Sequence, residues 1–311
     1  MYNLTMQNHN FLFVILFLSS FSLAKEPIQP IPQHIEVNEK KVRLGKELFF
    51  DTQLSRDNTV SCATCHMLHD GGDDNLPRSF GIKGQEGPIN APTVYNAVFN
   101  FRQFWDGRAA DLQDQAAGPI ENPKEMGHTF KDLVPELKKT PYKLQFEAIY
   151  KNGITKENIT DAIAEYEKTL ITPNAPFDLY LKGNKNALTK EQKEGYELFK
   201  SKGCITCHHG INIGGNLYNK FGIFEDANTT AFGRYNVTHK ERDKFYFKVP
   251  TLRNIARTAP YFHDGRTYDL HIAVYSMAKY QLGRKITPQE VDKIVAFLKS
   301  LNGELPKDIE H

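Results

Sequence analysis

Two short stretches decide how this chain is read: Cys62-Ala63-Thr64-Cys65-His66 and Cys204-Ile205-Thr206-Cys207-His208. Together they hold all four cysteines of a 311-residue chain. In each, two thiols lie three positions apart and a histidine follows directly, the spacing of covalent c-type haem attachment. The chemistry accounts for the order. Two thiols add to the two vinyl groups of one porphyrin, and the adjacent imidazole turns under the iron as its proximal ligand. Three other readings compete. A four-cysteine zinc site would have to gather pairs 142 positions apart and leaves both histidines without a role. Two disulfides leave the histidines unexplained as well. A thioredoxin-like redox pair belongs at a helix start after a strand, and neither motif follows a strand pattern.

Working outward from the motifs, the chain repeats itself. Leu48-Phe49 precedes the first and Leu198-Phe199 the second. Pro92-Thr93-Val94-Tyr95-Asn96 matches Pro250-Thr251-Leu252-Arg253-Asn254. Phe104-Trp105-Asp106-Gly107-Arg108 matches Phe262-His263-Asp264-Gly265-Arg266 at the same offset of 158 positions. The expected architecture is mainly α, with two homologous cytochrome c-like haem domains and long loops. The first domain is expected over 25–172 and the second over 173–311, divided at the proline-bearing stretch Thr172 to Phe177. Apolar spacing predicts amphipathic helices over Asn38 to Phe50, Thr160 to Leu170, Thr189 to Lys200 and Thr287 to Leu301. Thr189 is a candidate N-cap, and Thr287-Pro288 combines a cap with an N1 proline.

The first 24 residues contain no Lys, Arg, Asp or Glu, and Phe11 to Leu18 is unbroken apolar sequence. Small residues Ser22-Leu23-Ala24 precede the polar Lys25-Glu26-Pro27. This predicts a secretory signal peptide over 1–24 and export to the periplasm. The n-region offers only the terminal amine and His9, so an uncleaved anchor is the competing reading. The apolar core is shorter than the ~20 residues of a membrane-spanning helix. A formal net charge of +2 gives no field for nucleic acid.

The halves differ where chemistry would differ. Met277 lies 69 positions after His208 on an apparent helix, and a haem held by His and Met is closed and suited to electron transfer. From position alone, a packed core methionine is an equal reading. The collinear position in the first half is Pro119, which cannot bind iron. Glu125 follows shortly; on sequence alone it reads first as a solvated surface carboxylate, and otherwise as the group that cleaving a peroxide bond needs to move a proton between its oxygens. Trp105, the single tryptophan, aligns with His263, and is open between a buried anchor and an electron conduit.

With these stretches in hand, together with Gly71-Gly72-Asp73-Asp74, Asn90-Ala91-Pro92-Thr93, Gln115-Ala116-x-Gly118-Pro119 and Gln281-Leu282-Gly283, the chain resembles the bacterial di-haem cytochrome c peroxidases over nearly all its length after the leader. The resemblance implies two covalently bound c-type haems. His66 would serve the peroxidatic haem, and His208 with Met277 the electron-accepting one. It implies Glu125 as catalytic carboxylate, Gln115 as a distal-pocket neighbour, and Trp105 between the haems. It further implies one calcium ion held by Asn90 and the carbonyls of Thr258 and Pro260, ligation by oxygen that suits calcium. The implied partners are hydrogen peroxide, a small cytochrome c or cupredoxin as electron donor, and a second copy of the chain in a homodimer.

One position departs from the family. Many members carry a histidine in the loop after the first motif that caps the peroxidatic iron at rest. Here the matching residue, in Ser79-Phe80-Gly81-Ile82, is Ile82, which cannot bind iron. That iron is then expected to be open, or capped by His69 or His128. Two other functions remain in view: a non-catalytic di-haem electron-transfer cytochrome, and a di-haem enzyme that oxidises a partner protein. Relatives of the latter kind carry Tyr where this chain has Met277.

Overall fold

The computed structural model describes residues 26–307; the expected leader lies outside the described residues. The first half holds helices α1 (Glu39–Phe50), α2 (Cys62–Cys65), α3 (Leu112–Glu121), α4 (Phe130–Leu137), α5 (Tyr142–Ile149) and α6 (Lys156–Glu167). The second holds α7 (Pro176–Leu181), α8 (Lys190–Ser201), α9 (Tyr235–Thr238), α10 (Leu270–Ser276) and α11 (Pro288–Lys299). A short antiparallel pair, β1 (Tyr218–Lys220) and β2 (Tyr246–Lys248), is in register Asn219 to Phe247. Long connections fill the rest, so the mainly helical expectation holds.

Local chemistry starts these helices where it should. Asn38 accepts from the backbone N–H groups of Lys40 and Lys41 and opens α1. Thr189 with Gln192, and Thr287 with Glu290, form reciprocal capping boxes, and Pro288 occupies N1 of α11. Such caps contribute about 1 kcal/mol each. The expected start of the Thr160 helix is corrected: α6 begins four residues earlier, because Thr155 accepts from the N–H of Asn158. Thr160 sits inside the helix and donates back to the Lys156 carbonyl at 3.1 Å.

The duplication is visible as geometry. In each half the helix before the motif crosses the last helix of that half at a glycine. A Cβ on Gly45 of α1 would lie 1.8 Å from the Ala162 carbonyl oxygen of α6. A Cβ on Gly195 of α8 would lie 1.9 Å from the Lys293 carbonyl oxygen of α11. Glycine costs about 1 kcal/mol of helix propensity relative to alanine, and here that cost permits the close crossing. Two separate cores result. One is built on Leu44, Leu48, Phe49, Ile120, Leu133, Phe146 and Ile163. The other is built on Phe177, Tyr196, Phe199, Ile294, Phe297 and Leu301.

Segments near the two limits of the described residues cross between the cores. Ile28 inserts into the second core and Leu305 packs against the first. Arg253, fully buried, fixes the leading segment by donating to the Gln29 carbonyl at 2.8 Å and pairing with buried Asp178 at 2.6 Å. Where the halves join, the repeated asparagines converge on one residue. Asn96 and Asn254 both adopt left-handed backbone, φ 60° and 59°. Their Nδ2 atoms donate to the Thr172 hydroxyl at 2.8 and 2.9 Å.

Candidate active site

The second motif is built at the end of α8. A turn over Cys204–Thr206 follows, and the His208 N–H returns to the Cys204 carbonyl at 3.0 Å. The first motif forms α2, with the matching His66 N–H to Cys62 carbonyl bond, also 3.0 Å. Each imidazole is oriented by one hydrogen bond through Nδ1, from His66 to the Gly72 carbonyl at 3.1 Å and from His208 to the Ile213 carbonyl at 3.2 Å. Nδ1 therefore carries the proton and Nε2 keeps its lone pair for a metal, the usual way a protein fixes a ligand histidine. Burial favours the neutral form of both, lowering His66 and bringing His208 down to about 4. Among the described residues none of the four cysteines is in a disulfide. Burial pushes Cys65 and Cys204 up to about 11 and Cys62 higher still. The two pairs lie in different halves, each against its own core, so the four-thiolate zinc reading falls.

A cavity of about 230 Å³ is lined by Cys204, Cys207, His208 and Met277. The structure thus brings these residues together around one cavity, with Met277 and His208 both on its wall. The apparent helix at Met277 needs a correction. α10 stops at Ser276 and the chain makes a wider π turn over Met277–Gln281, closed by the Leu282 N–H on the Met277 carbonyl at 3.1 Å. Such turns are frequent at functional sites. Gln281 anchors this turn to β1 by donating to the Lys220 carbonyl at 2.9 Å.

The same cavity reaches the seam between the halves, where Trp105, Asn90, Thr258, Pro260 and His263 line it. Trp105 Nε1 donates to the Asn90 carbonyl at 2.9 Å. Its ring meets His263, its repeat partner, edge-on at 6.1 Å. Asn90 donates through Nδ2 to the Leu76 carbonyl at 2.8 Å, which leaves Oδ1 free. Asp73 is buried beside them, and its Oδ1 has no hydrogen-bond partner among the described residues.

On the first half, Glu125 lies in the turn after α3. Asn122 Nδ2 donates to its Oε1 at 2.7 Å. Burial raises its carboxyl above the ordinary range, against the pull of Arg108 and of the Asn122 bond. Its charge reaches Cys65, which places it on the first motif's side. Gln115 lies half-buried one turn into α3, and Pro119 is in the same helix. The loop carrying Ile82 is docked on this turn: the Ile82 N–H donates to the Glu125 carbonyl at 2.8 Å. Ile82 itself is buried in the first core and fills the space over Gly127. Of the alternative caps, His128 is committed elsewhere. Its Nδ1 accepts from the Thr129 N–H at 2.9 Å and its Nε2 lies 3.1 Å from a Glu136 carboxylate oxygen. His69 is exposed. Sequence reasoning missed Asp73 and Lys248, because burial leaves no trace in residue spacing, and the shared Thr172, because its partners Asn96 and Asn254 lie 76 and 82 positions away.

These features define a mainly α protein with two cytochrome c-like modules, each presenting two cysteines and a histidine. A family profile described as di-haem cytochrome c peroxidase matches residues 39–186, and one described as cytochrome c matches residues 192–302. The chain is 54% identical over 285 residues to the cytochrome c peroxidase Ccp of Escherichia coli, covering 89% of this chain and 61% of that longer protein. It is 50% identical over 287 residues to the cytochrome c551 peroxidase of Nitrosomonas europaea, covering 91% of this chain and 86% of that one. Among solved structures, a MauG-like protein associated with microbial copper homeostasis superposes with TM-score 0.78 at 25% identity, over 91% of this chain and 95% of that one. The chain belongs to the bacterial di-haem cytochrome c peroxidases, with two c-type haems and enzyme activity of the peroxidase class. Among the described residues no helix is long and apolar enough to cross a membrane.

Proposed function

We propose that this chain reduces hydrogen peroxide to water in the periplasm, with electrons delivered singly by a small cytochrome c or cupredoxin. In this reading Cys62 and Cys65 would attach one haem covalently with His66 as an iron ligand, and Cys204 and Cys207 would attach the other, with His208 and Met277 as its iron ligands. The divide between the domains falls at Thr172. The haem iron, when bound, supplies the redox chemistry. What the chain itself contributes is an asymmetry. Met277 shares a cavity with His208, whereas Pro119 stands at the equivalent place in the first half. Ile82 has no atom that can bind iron, and both nitrogens of His128 are engaged, so neither is free to cap the first iron. This asymmetry is the observation that carries the proposal.

Glu125 does the proton work. Oε1 is occupied by Asn122, which leaves Oε2 to take a proton from one peroxide oxygen and hand it to the other. Two electrons and two further protons complete the conversion of one peroxide to two waters. Gln115 shares α3 with Pro119 and helps position the peroxide. Trp105 lies at the seam between the modules, and we assign it the electron path. Asn90 Oδ1 and the carbonyls of Thr258 and Pro260, with Asp73 alongside, form an oxygen-only site for calcium. That ion would fix the seam, and a homodimer would pair such units.

The test is Glu125→Gln, a near-isosteric change. Both haems are expected to stay attached while kcat falls about 10²-fold or more, the usual contribution of an acid–base group. Unchanged turnover would remove Glu125 from the mechanism.

A further inference from the structure

Lys248 ends β2, and its backbone N–H donates to the Trp105 carbonyl at 2.7 Å. The residue is 6% exposed and lines the cavity of Cys204, Cys207, His208 and Met277. Burial is the only influence on its ammonium, pulling it down to about 8, and no carboxylate acts on it. The single carboxylate of the cavity wall is Asp73. Asp73 is engaged with the backbone N–H groups of its own residue and Asn75, and its free Oδ1 does not meet Lys248. The other lysine at the wall, Lys220, is exposed and keeps its water. An ammonium taken out of water without a partner is strongly unfavourable, and buried charges are kept where a counter-charge completes them.

The group that fills this cavity brings its own anions. A porphyrin tethered through its vinyl groups carries two carboxylates on its remaining edge, and these must find cations or water. We propose that Lys248 is a binding residue of the second haem, its ammonium pairing with a porphyrin carboxylate beside Trp105. The proposal rests on the reading that the second haem occupies this cavity. A cation held there also favours the reduced haem, which carries one positive charge fewer than the oxidised one. Lys248 therefore helps to set the second haem as the electron acceptor, and it does so next to the residue assigned to the electron path.

The experiment uses the holoprotein. Peptide mass mapping first reads whether a haem is attached at Cys204 and Cys207; its absence overturns the cavity reading, whatever Lys248 does. With the haem present, spectroelectrochemical titration at fixed pH compares wild type with Lys248→Met and Lys248→Arg. The expected result for Lys248→Met is a reduction equilibrium of the second haem moved at least tenfold toward the oxidised form, about 59 mV for one electron. Lys248→Arg, which keeps the charge, is expected to stay near wild type, with the spectrum of the His208–Met277 haem retained in both. A second-haem potential unchanged in Lys248→Met overturns the proposal. Equal shifts in the Met and Arg variants also overturn it, since they would report packing rather than charge. If Lys248→Met yields no holoprotein, Lys248→Gln removes the charge while keeping a donor, and is read by the same criteria.

Discussion

Replacing Thr172 with valine removes one hydroxyl and keeps the shape of the side chain. That oxygen accepts from Asn96 Nδ2 at 2.8 Å and from Asn254 Nδ2 at 2.9 Å. Asn96 and Asn254 are 0% exposed and Thr172 is 1% exposed, so no water replaces the lost acceptor. The remaining bonds hold each amide in place: Asn96 Oδ1 accepts from the Thr172 N–H and Asn254 Oδ1 from the Gly303 N–H. Neither amide can turn to find another partner without breaking one of these. A buried donor left unsatisfied costs about 1–3 kcal/mol, so two cost about 2–6 kcal/mol. Thr172→Val should therefore lower the stability of the holoprotein by at least about 2 kcal/mol, read as the midpoint shift in guanidinium unfolding followed by haem absorbance and by far-UV circular dichroism. Thr172→Ser, which keeps the hydroxyl, should lose less than about 1 kcal/mol, the methyl alone. A loss below about 0.5 kcal/mol in Thr172→Val would refute the shared-acceptor account of the seam.

Two further outcomes follow from the packing. Gly195→Val drives a side chain into the Lys293 carbonyl oxygen, 1.9 Å from the required Cβ, and should destabilise the second half by about 1–3 kcal/mol or more in the same unfolding assay. Glu167 is buried with Oε2 unpartnered, and burial lifts its carboxyl from 4.5 to about 8. Because the folded value is raised, the neutral acid is accommodated below the unfolded value, and stability is lost as pH climbs from there through about 8. Glu167→Gln should accordingly stabilise the protein by up to about 3 kcal/mol near pH 7 and by little near pH 4, and a pH-independent effect would contradict the assignment.

Much of this was legible in the residues. The two Cys-x-x-Cys-His motifs are local in the sequence and need no tertiary context to be read. The caps Asn38, Thr189 and Thr287 act on the backbone next to them, so the starts of α1, α8 and α11 could be read directly. Thr155 was passed over because Thr160, deeper in the same helix, offered the same side chain. The collinear Pro-Thr-x-x-Asn stretches pointed to duplication, yet only three dimensions show both asparagines meeting at Thr172. β1 and β2 have three residues each, too few for alternation to register. Met277, expected on a helix, lies in a π turn, which has no distinct apolar period to read. The crossing of Ile28 and Leu305 between the cores is a long-range choice that no window of sequence contains.

The account depends on one iron being closed and the other accessible. The most direct measurement is the spin state of the fully oxidised holoprotein by electron paramagnetic resonance, combined with titration by azide or cyanide. The expected result is one low-spin haem that ignores the anion and one haem that takes up a single equivalent. Two low-spin haems, with no anion bound in any oxidation state, would contradict it and leave an electron carrier in place of a peroxidase.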